Sequence, residues 1–202
     1  YYITSLNENY PHPVMPEGVE EGIRRGIYRL RESAGTDKPV QLMGSGSILR
    51  QVEKAAEWLN EKGIAASVWS VTSYNELRRD GMACEREALL SAGQRTPEPY
   101  VTSQLKQSEG PLISATDHMK AYSDQIRPYI PAGRSYQVLG TDGFGRSDTR
   151  DALRRFFEVD WQHIAWAAGY ELMKEGTLSA DELESWREEL SIDASKPDPL
   201  YS

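Results

Sequence analysis

The sequence predicts an α/β protein folded as a three-layer α/β/α sandwich. Three observations carry that expectation: one clear strand–helix–strand unit, further strand-like segments alternating with helical ones, and a helical end. In the first unit, PVQLMG (Pro39–Gly44) reads as a strand, SGSILRQVEKAAEWLNEKG as a helix and IAASVWSV (Ile64–Val71) as a second strand. The helix puts Ile48, Leu49, Val52, Ala55, Ala56 and Leu59 on one face, and Gly63 stands where a C-terminal cap belongs. Strand, helix and strand within about 30 residues make a βαβ unit, expected to be parallel and right-handed.

The other elements follow in order. Tyr1–Leu6 is β-branched and aromatic and suits a strand, whereas NENYPHPVMPEG, with three prolines, reads as an extended linker. RGIYRLR (Arg25–Arg31) is a short half-buried strand. SYNELRRDG suits a short helix, and TPEPYVTSQLKQSEG a loop leading to another. PLISAT (Pro111–Thr116) is a core strand; Asp117 then caps a helix that points Met119, Tyr122 and Ile126 inward and stops at Pro128. SYQVLG (Ser135–Gly140) is the next strand. Ser147 or Asp148 caps TRDALRRFF, Asp160 caps WQHIAWAAGYELMKEG, and Ser179 with Glu182 forms a capping box before LESWREEL. The tail SKPDPLYS is loop.

Composition narrows the function. Of 202 residues, 39% are hydrophobic, enough for a real core. The net charge of −8 and a pI near 5.0 argue against nucleic acid or an anionic membrane as a partner. No apolar run approaches the ~20 residues that span a bilayer, and no signal-peptide pattern is visible. The single cysteine, Cys84, excludes an internal disulfide and a multi-cysteine metal site. A cytoplasmic location is expected. The chain opens YYITSLNENY without an initiator methionine, which reads as a fragment of something longer.

Two glycine-containing turns invite a ligand. LGTDGFGRSD (Leu139–Asp148) has the outline of a phosphate loop: strand end, glycine turn, helix start. After Gly143 and Gly145, however, Asp148 stands where a dinucleotide fingerprint needs its third glycine, and the lysine of a P-loop is missing. Asp142 and Asp148 would repel a phosphate, offset in part by Arg146. The expected role is a structural turn. GSGS (Gly44–Ser47) joins a strand to a helix start, where backbone N–H groups attract anions. Ser45, Gly46 and Ser47 are therefore a possible anion site, with ordinary capping as the simpler account. His12, His118 and His163 form no i,i+4 metal pair. Cys84, in a polar helical stretch without a neighbouring histidine, reads as an inert thiol. GSGSI lacks the closing glycine of a nucleophile elbow. Trp161 and Trp166 read as one core and one interface residue in preference to a substrate platform.

One longer stretch, LGTDGFGRSDTRDALRRFFEVD, carries a resemblance, together with LNENY, GIRRGIYRLRE, VQLMGSGSILRQVEKAAEWL and VWSVTSYNELRRDG. It closely resembles the C-terminal domain of the bacterial homodimeric pyruvate dehydrogenases, thiamine-diphosphate enzymes that begin the pyruvate dehydrogenase complex. The likeness runs in order along essentially the whole chain. It implies a transketolase-type C-terminal domain over 18–202, with a mixed five-stranded sheet whose first strand, GIYRLR, is antiparallel. Residues 1–17 would be the end of a preceding pyrimidine-binding domain and a linker. It implies a parent that decarboxylates pyruvate and reductively acetylates the lipoyl group of the dihydrolipoamide acyltransferase component, acting as a homodimer.

The resemblance also accounts for the missing chemistry. Family members hold thiamine diphosphate and magnesium through a G-D-G…N-N motif in their first domain, and the activating glutamate lies in the second. This chain has no such motif, so no catalytic residue is expected in it. LNENY follows the last strand of the second domain, which makes Asn7, Glu8 and Asn9 candidates for lying near the active site; a plain polar linker is the other reading. Asp142, Gly143, Gly145, Arg146 and Asp148 would form a rigid corner presented to the rest of the dimer. Part of the helical end from Asp160 to Leu190, which holds Trp161, Trp166 and Trp186, is expected to face another domain, the twin subunit or the acyltransferase, and its acidic SADELESWREEL stretch would suit a basic subunit-binding module. The alternative is a stand-alone module that docks the acyltransferase's subunit-binding domain and has no catalytic role.

Overall fold

A computed structural model describes residues 9–33, 35 and 37–202. The strand expected at Tyr1–Leu6 lies outside them, as do Asn7 and Glu8. Residues 9–16 have no regular structure, as their prolines require. A helix the sequence reading missed, α1 (Glu20–Arg25), comes next. It ends at Gly26, whose φ of +107° turns the chain, so the strand expected from Arg25 starts two residues later as β1 (Ile27–Arg31).

The βαβ unit forms as read. β2 (Pro39–Gly44) leads through a 3-10 turn into α2 (Leu49–Glu61), which returns to β3 (Ala65–Val71), and the two strands pair in parallel. Val52, Ala55, Ala56 and Leu59 are the buried stripe of α2, at the spacing that puts them on one face. The expected short helix at SYNELRRDG runs on as α3 (Tyr74–Leu90), through Gly81, whose missing side chain makes room for the Tyr129 ring. Then come α4 (Tyr100–Leu105), β4 (Leu112–Ala115), α5 (Lys120–Asp124) and β5 (Tyr136–Leu139). The chain finishes in α6 (Arg150–Phe156), α7 (Trp161–Lys174) and α8 (Ala180–Glu189).

The strands form one sheet in the order β1-β3-β2-β4-β5, with β1 antiparallel to β3 and the other pairs parallel. Alternating side chains divide the core. Val40, Leu42, Val68 and Ile113 pack on α2, α7 and α8. Met43, Trp69, Leu112 and Val138 pack on the opposite face, against side chains of α3 and α4. The three-layer, mixed five-stranded sandwich is therefore what the structure contains.

Several capping details differ from expectation. Asp117 does not cap α5; the Asp142 carboxylate reaches across and accepts from the Lys120 N–H at 3.0 Å. Of the three residues expected to point inward there, only Ile126 is buried, while Met119 and Tyr122 stand in solvent. The cap of α6 is Thr149, not Ser147 or Asp148. Asp160 and the Ser179–Glu182 box cap α7 and α8 as read.

Candidate functional site

In an open parallel sheet the loops after the strands cluster along one edge, and neighbouring crossovers that run in opposite directions open a crevice between them. Here β2 sends its crossover to β3 on one side, while its other neighbour, β4, continues to β5. The loops after β2, β4 and β5 meet at that point. They carry Ser45–Ser47, Thr116–His118 and Gly140–Arg146 respectively. The two glycine turns, about a hundred residues apart in sequence, thus line one crevice of 320 Å³, with Ser47, Asp117, Thr141, Gly143 and Arg146 on its wall.

Side-chain bonds tie the loops together. Ser45 and Thr116 share a hydroxyl contact of 2.8 Å, and Ser47 donates to the Asp117 carboxylate at 3.2 Å. Thr141 donates to the Asp117 carbonyl at 2.8 Å, and its N–H to the His118 carbonyl at 3.0 Å. Gly143 adopts φ +102° with the Pro199 carbonyl beside it. Gly145 has no such constraint, since a Cβ there would meet nothing within 4 Å. Arg146 lays its guanidinium over the Phe156 ring at 4.9 Å, and Asp148 accepts from the Thr149 N–H at 2.6 Å.

The third candidate group arrives at the same edge. Asn9 and Tyr10 line an adjoining cleft with Gly46, Ser47 and Arg50. Tyr10 is held from two sides. Arg50 of α2 lies over its ring at 5.1 Å, and Arg154 of α6 donates to its hydroxyl at 3.3 Å. No local pattern could have revealed this clamp, whose members are 40 and 144 residues from Tyr10 in sequence.

The electrostatics bear on an anion at the GSGS helix start. Asp117 already holds Ser47 there, and its Oδ1 would lie 3.5 Å from a Cβ on Gly46. That carboxylate offsets the positive helix end locally. Away from the crevice, burial and then Asp80 and Glu87 hold the Cys84 thiol above its usual range. His163 Nδ1 lies 2.5 Å from Asp160. Burial pushes the Asp160 carboxyl up, but hydrogen bonds from His163 and Arg155 outweigh it and leave the group below the ordinary carboxylate range.

The tryptophans do not form the exposed surface expected of them. Trp186 is buried edge-on against Trp58 at 5.1 Å, in space opened by Gly169. Trp161 is half-buried 6.3 Å from Trp58, and Trp166 lies under the Arg187 guanidinium at 4.7 Å. The acidic stretch is also engaged within the chain: Glu182 pairs with Lys38, Glu184 with Arg187 and Glu189 with Lys62.

Comparison with known proteins places this architecture. The model of the transketolase-like TK C-terminal domain matches residues 26–160. The chain belongs to that family. This transketolase-like domain is 48% identical over 200 residues to the pyruvate dehydrogenase E1 component of Escherichia coli K12, covering 98% of the chain and 22% of the relative. Identity is 50% over 202 residues with the same component of Pseudomonas aeruginosa, covering 99% and 23%. The resemblance read in the sequence is borne out, and the chain spans about a fifth of the length of these curated relatives. Among solved structures, a transketolase from Leishmania mexicana superposes with a TM-score of 0.51 at 20% identity, over 76% of this chain and 19% of that one. That likeness speaks for the fold alone.

The enzymes of this family use thiamine diphosphate, so the residues present are tested against it. A magnesium diphosphate needs several oxygen donors around one ion. Among the described residues, no group of three or more His, Cys, Asp or Glu side chains is placed to hold a metal. The helix start at Ser47 is faced by Asp117, which opposes a diphosphate there. These residues do not fit the cofactor. No helix among the described residues is long and apolar enough to cross a membrane.

Proposed function

We propose that the chain is the C-terminal domain, over 18–202, of a pyruvate dehydrogenase E1-type enzyme, preceded at 1–17 by the end of another domain and a linker. The parent decarboxylates pyruvate and reductively acetylates the lipoyl group of the dihydrolipoamide acyltransferase component, as a cytoplasmic homodimer. Thiamine diphosphate and magnesium are held by the domains outside this chain. The domain itself serves dimer assembly and partner docking, with Asp142–Asp148 as an interfacial corner and Asn7–Asn9 near the active site. The observation that carries the reading is identity of 42–50% to E1 components over 98–100% of the chain. Ser45–Ser47 serves the fold as a bonded junction, a reading supported by the Ser45–Thr116 and Ser47–Asp117 side-chain contacts.

The test compares the full-length polypeptide with the 202-residue chain. Supplied with pyruvate, thiamine diphosphate, magnesium and an electron acceptor, the full-length protein turns over and the isolated chain does not. Calorimetric titration of the isolated chain with the cofactor gives no heat above dilution. Micromolar binding by the chain alone would overturn the assignment.

A further inference from the structure

We infer that the C-terminal edge of the sheet is the seat of the preceding domain of the same polypeptide, with Phe144 as the aromatic anchor. The inference deepens the proposed function and rests on it, since it takes the chain to be one domain of a longer enzyme.

Phe144 is 83% exposed between Gly143 and Gly145. Single exposed apolar residues are common and mean little. This one differs because its loop is pinned. Thr141 is bonded to Asp117 and His118, Asp142 to Lys120, and Gly143 sits against the tail at Pro199. A side chain presented on a fixed loop loses little freedom when covered, so burying its ring is converted efficiently into affinity. Phenylalanine is among the side chains enriched at the cores of interfaces. The segments that the loop touches add apolar surface beside it: Met119, Tyr122, Leu200 and Tyr201 are all exposed. These five lie on segments joined at one sheet edge, while the other exposed large apolar side chains among the described residues are Val14 and Met15 of the linker, Met82, Leu89 and Leu90 of α3, and Tyr170. On α7 and α8 only Tyr170 stands among the exposed large apolar side chains.

The path of the chain selects the occupant. Tyr10 is clamped between Arg50 and Arg154, so the linker is fixed at this same edge, beside Gly46 and Ser47. Upstream of Asn9 each residue carries the chain at most about 3.5 Å further. A domain that ends a few residues before Asn9 is therefore held against the edge that carries Phe144. Tethering over so short a distance corresponds to an effective concentration on the order of millimolar, which outcompetes a second copy at micromolar concentration.

The experiment uses the full-length polypeptide, as wild type and as Phe144→Ser, Phe144→Asn and Phe144→Leu. Hydrogen exchange is followed at the amides of 118–122 and 141–148, with circular dichroism as the check on folding and sedimentation velocity on oligomeric state. The two polar variants are expected to raise exchange at these amides about tenfold, independently of protein concentration, while leucine, which still fills the contact, stays near wild type. Having two polar variants keeps the test decisive if one of them fails to fold. Unchanged exchange in both would overturn the inference. So would a rise that appears only on dilution, because the occupant would then be a second copy. If the wild-type polypeptide shows no activity on pyruvate yet the Phe144 effect is present, the docking stands and the enzymatic reading falls.

Discussion

Replacing Gly143 and Gly145 one at a time by alanine separates two glycines that look equivalent in sequence. Gly143 sits at φ +102°, beyond the left-handed well that an L-residue tolerates, and a Cβ there would lie 2.6 Å from the Pro199 carbonyl oxygen. Occupying positive φ costs an ordinary residue roughly 1–2 kcal/mol. The approach to the tail backbone puts Gly143→Ala at the top of that range, about 2 kcal/mol or more. For a domain of this size each kcal/mol lowers Tm by roughly 2–4 °C, so the expected loss is about 4–8 °C. Gly145 has no positive φ and open space around it. Gly145→Ala is expected to be neutral, or to stabilise by roughly 0.4–1 kcal/mol by restricting the unfolded chain. The assay is thermal unfolding followed by circular dichroism, with all three proteins in one buffer. Equal Tm values for the two variants would refute the reasoning.

Two further outcomes follow from the same structure. Gly169→Ala would put a Cβ 2.5 Å from the Trp186 ring and 2.7 Å from Leu183, and core overpacking of this kind costs roughly 1–3 kcal/mol, read as a lower denaturation midpoint with an unchanged denaturant slope. Asp160 has a depressed folded-state pKa, so its contribution is fully present above the unfolded carboxylate value and is lost as pH falls through the folded value. Wild-type stability should therefore drop below about pH 4, and Asp160→Asn should flatten that part of the profile while lowering stability at pH 7. Parallel profiles for the two proteins would show that the His163 and Arg155 contacts contribute nothing.

The βαβ unit was legible because its apolar positions repeat at helical spacing between two nearly continuous apolar strands. Asp160 and Ser179–Glu182 were legible because their partners lie within three residues. What stayed hidden depended on distance or on context. α1 is only six residues long and contains a glycine, so no periodicity develops. The sequence suggests a shorter α3 because a mid-helix glycine looks like a stop until the Tyr129 ring that requires it is known. The capping of α5 by Asp142 and the clamping of Tyr10 by Arg50 and Arg154 join residues 22 to 144 positions apart. The candidate site was half visible. Each turn could be recognised separately, but their meeting at one crevice follows from strand order, which local pattern does not encode. The tryptophans misled because a count of large side chains says nothing about which glycine makes room for them.

The antiparallel course of β1 has a practical consequence. Because Ile27 pairs with Val71, the chain enters the sheet at the same rim where β2, β4 and β5 release their loops. The chain's entry, the two glycine turns and Phe144 are thereby gathered on one side. At the opposite rim, two turns, at Gly63 and Gly133, have open space around the glycine. A dye, an affinity tag or a surface-immobilisation handle attached at the Pro131–Gly133 turn would report on events at the far rim without standing in their way.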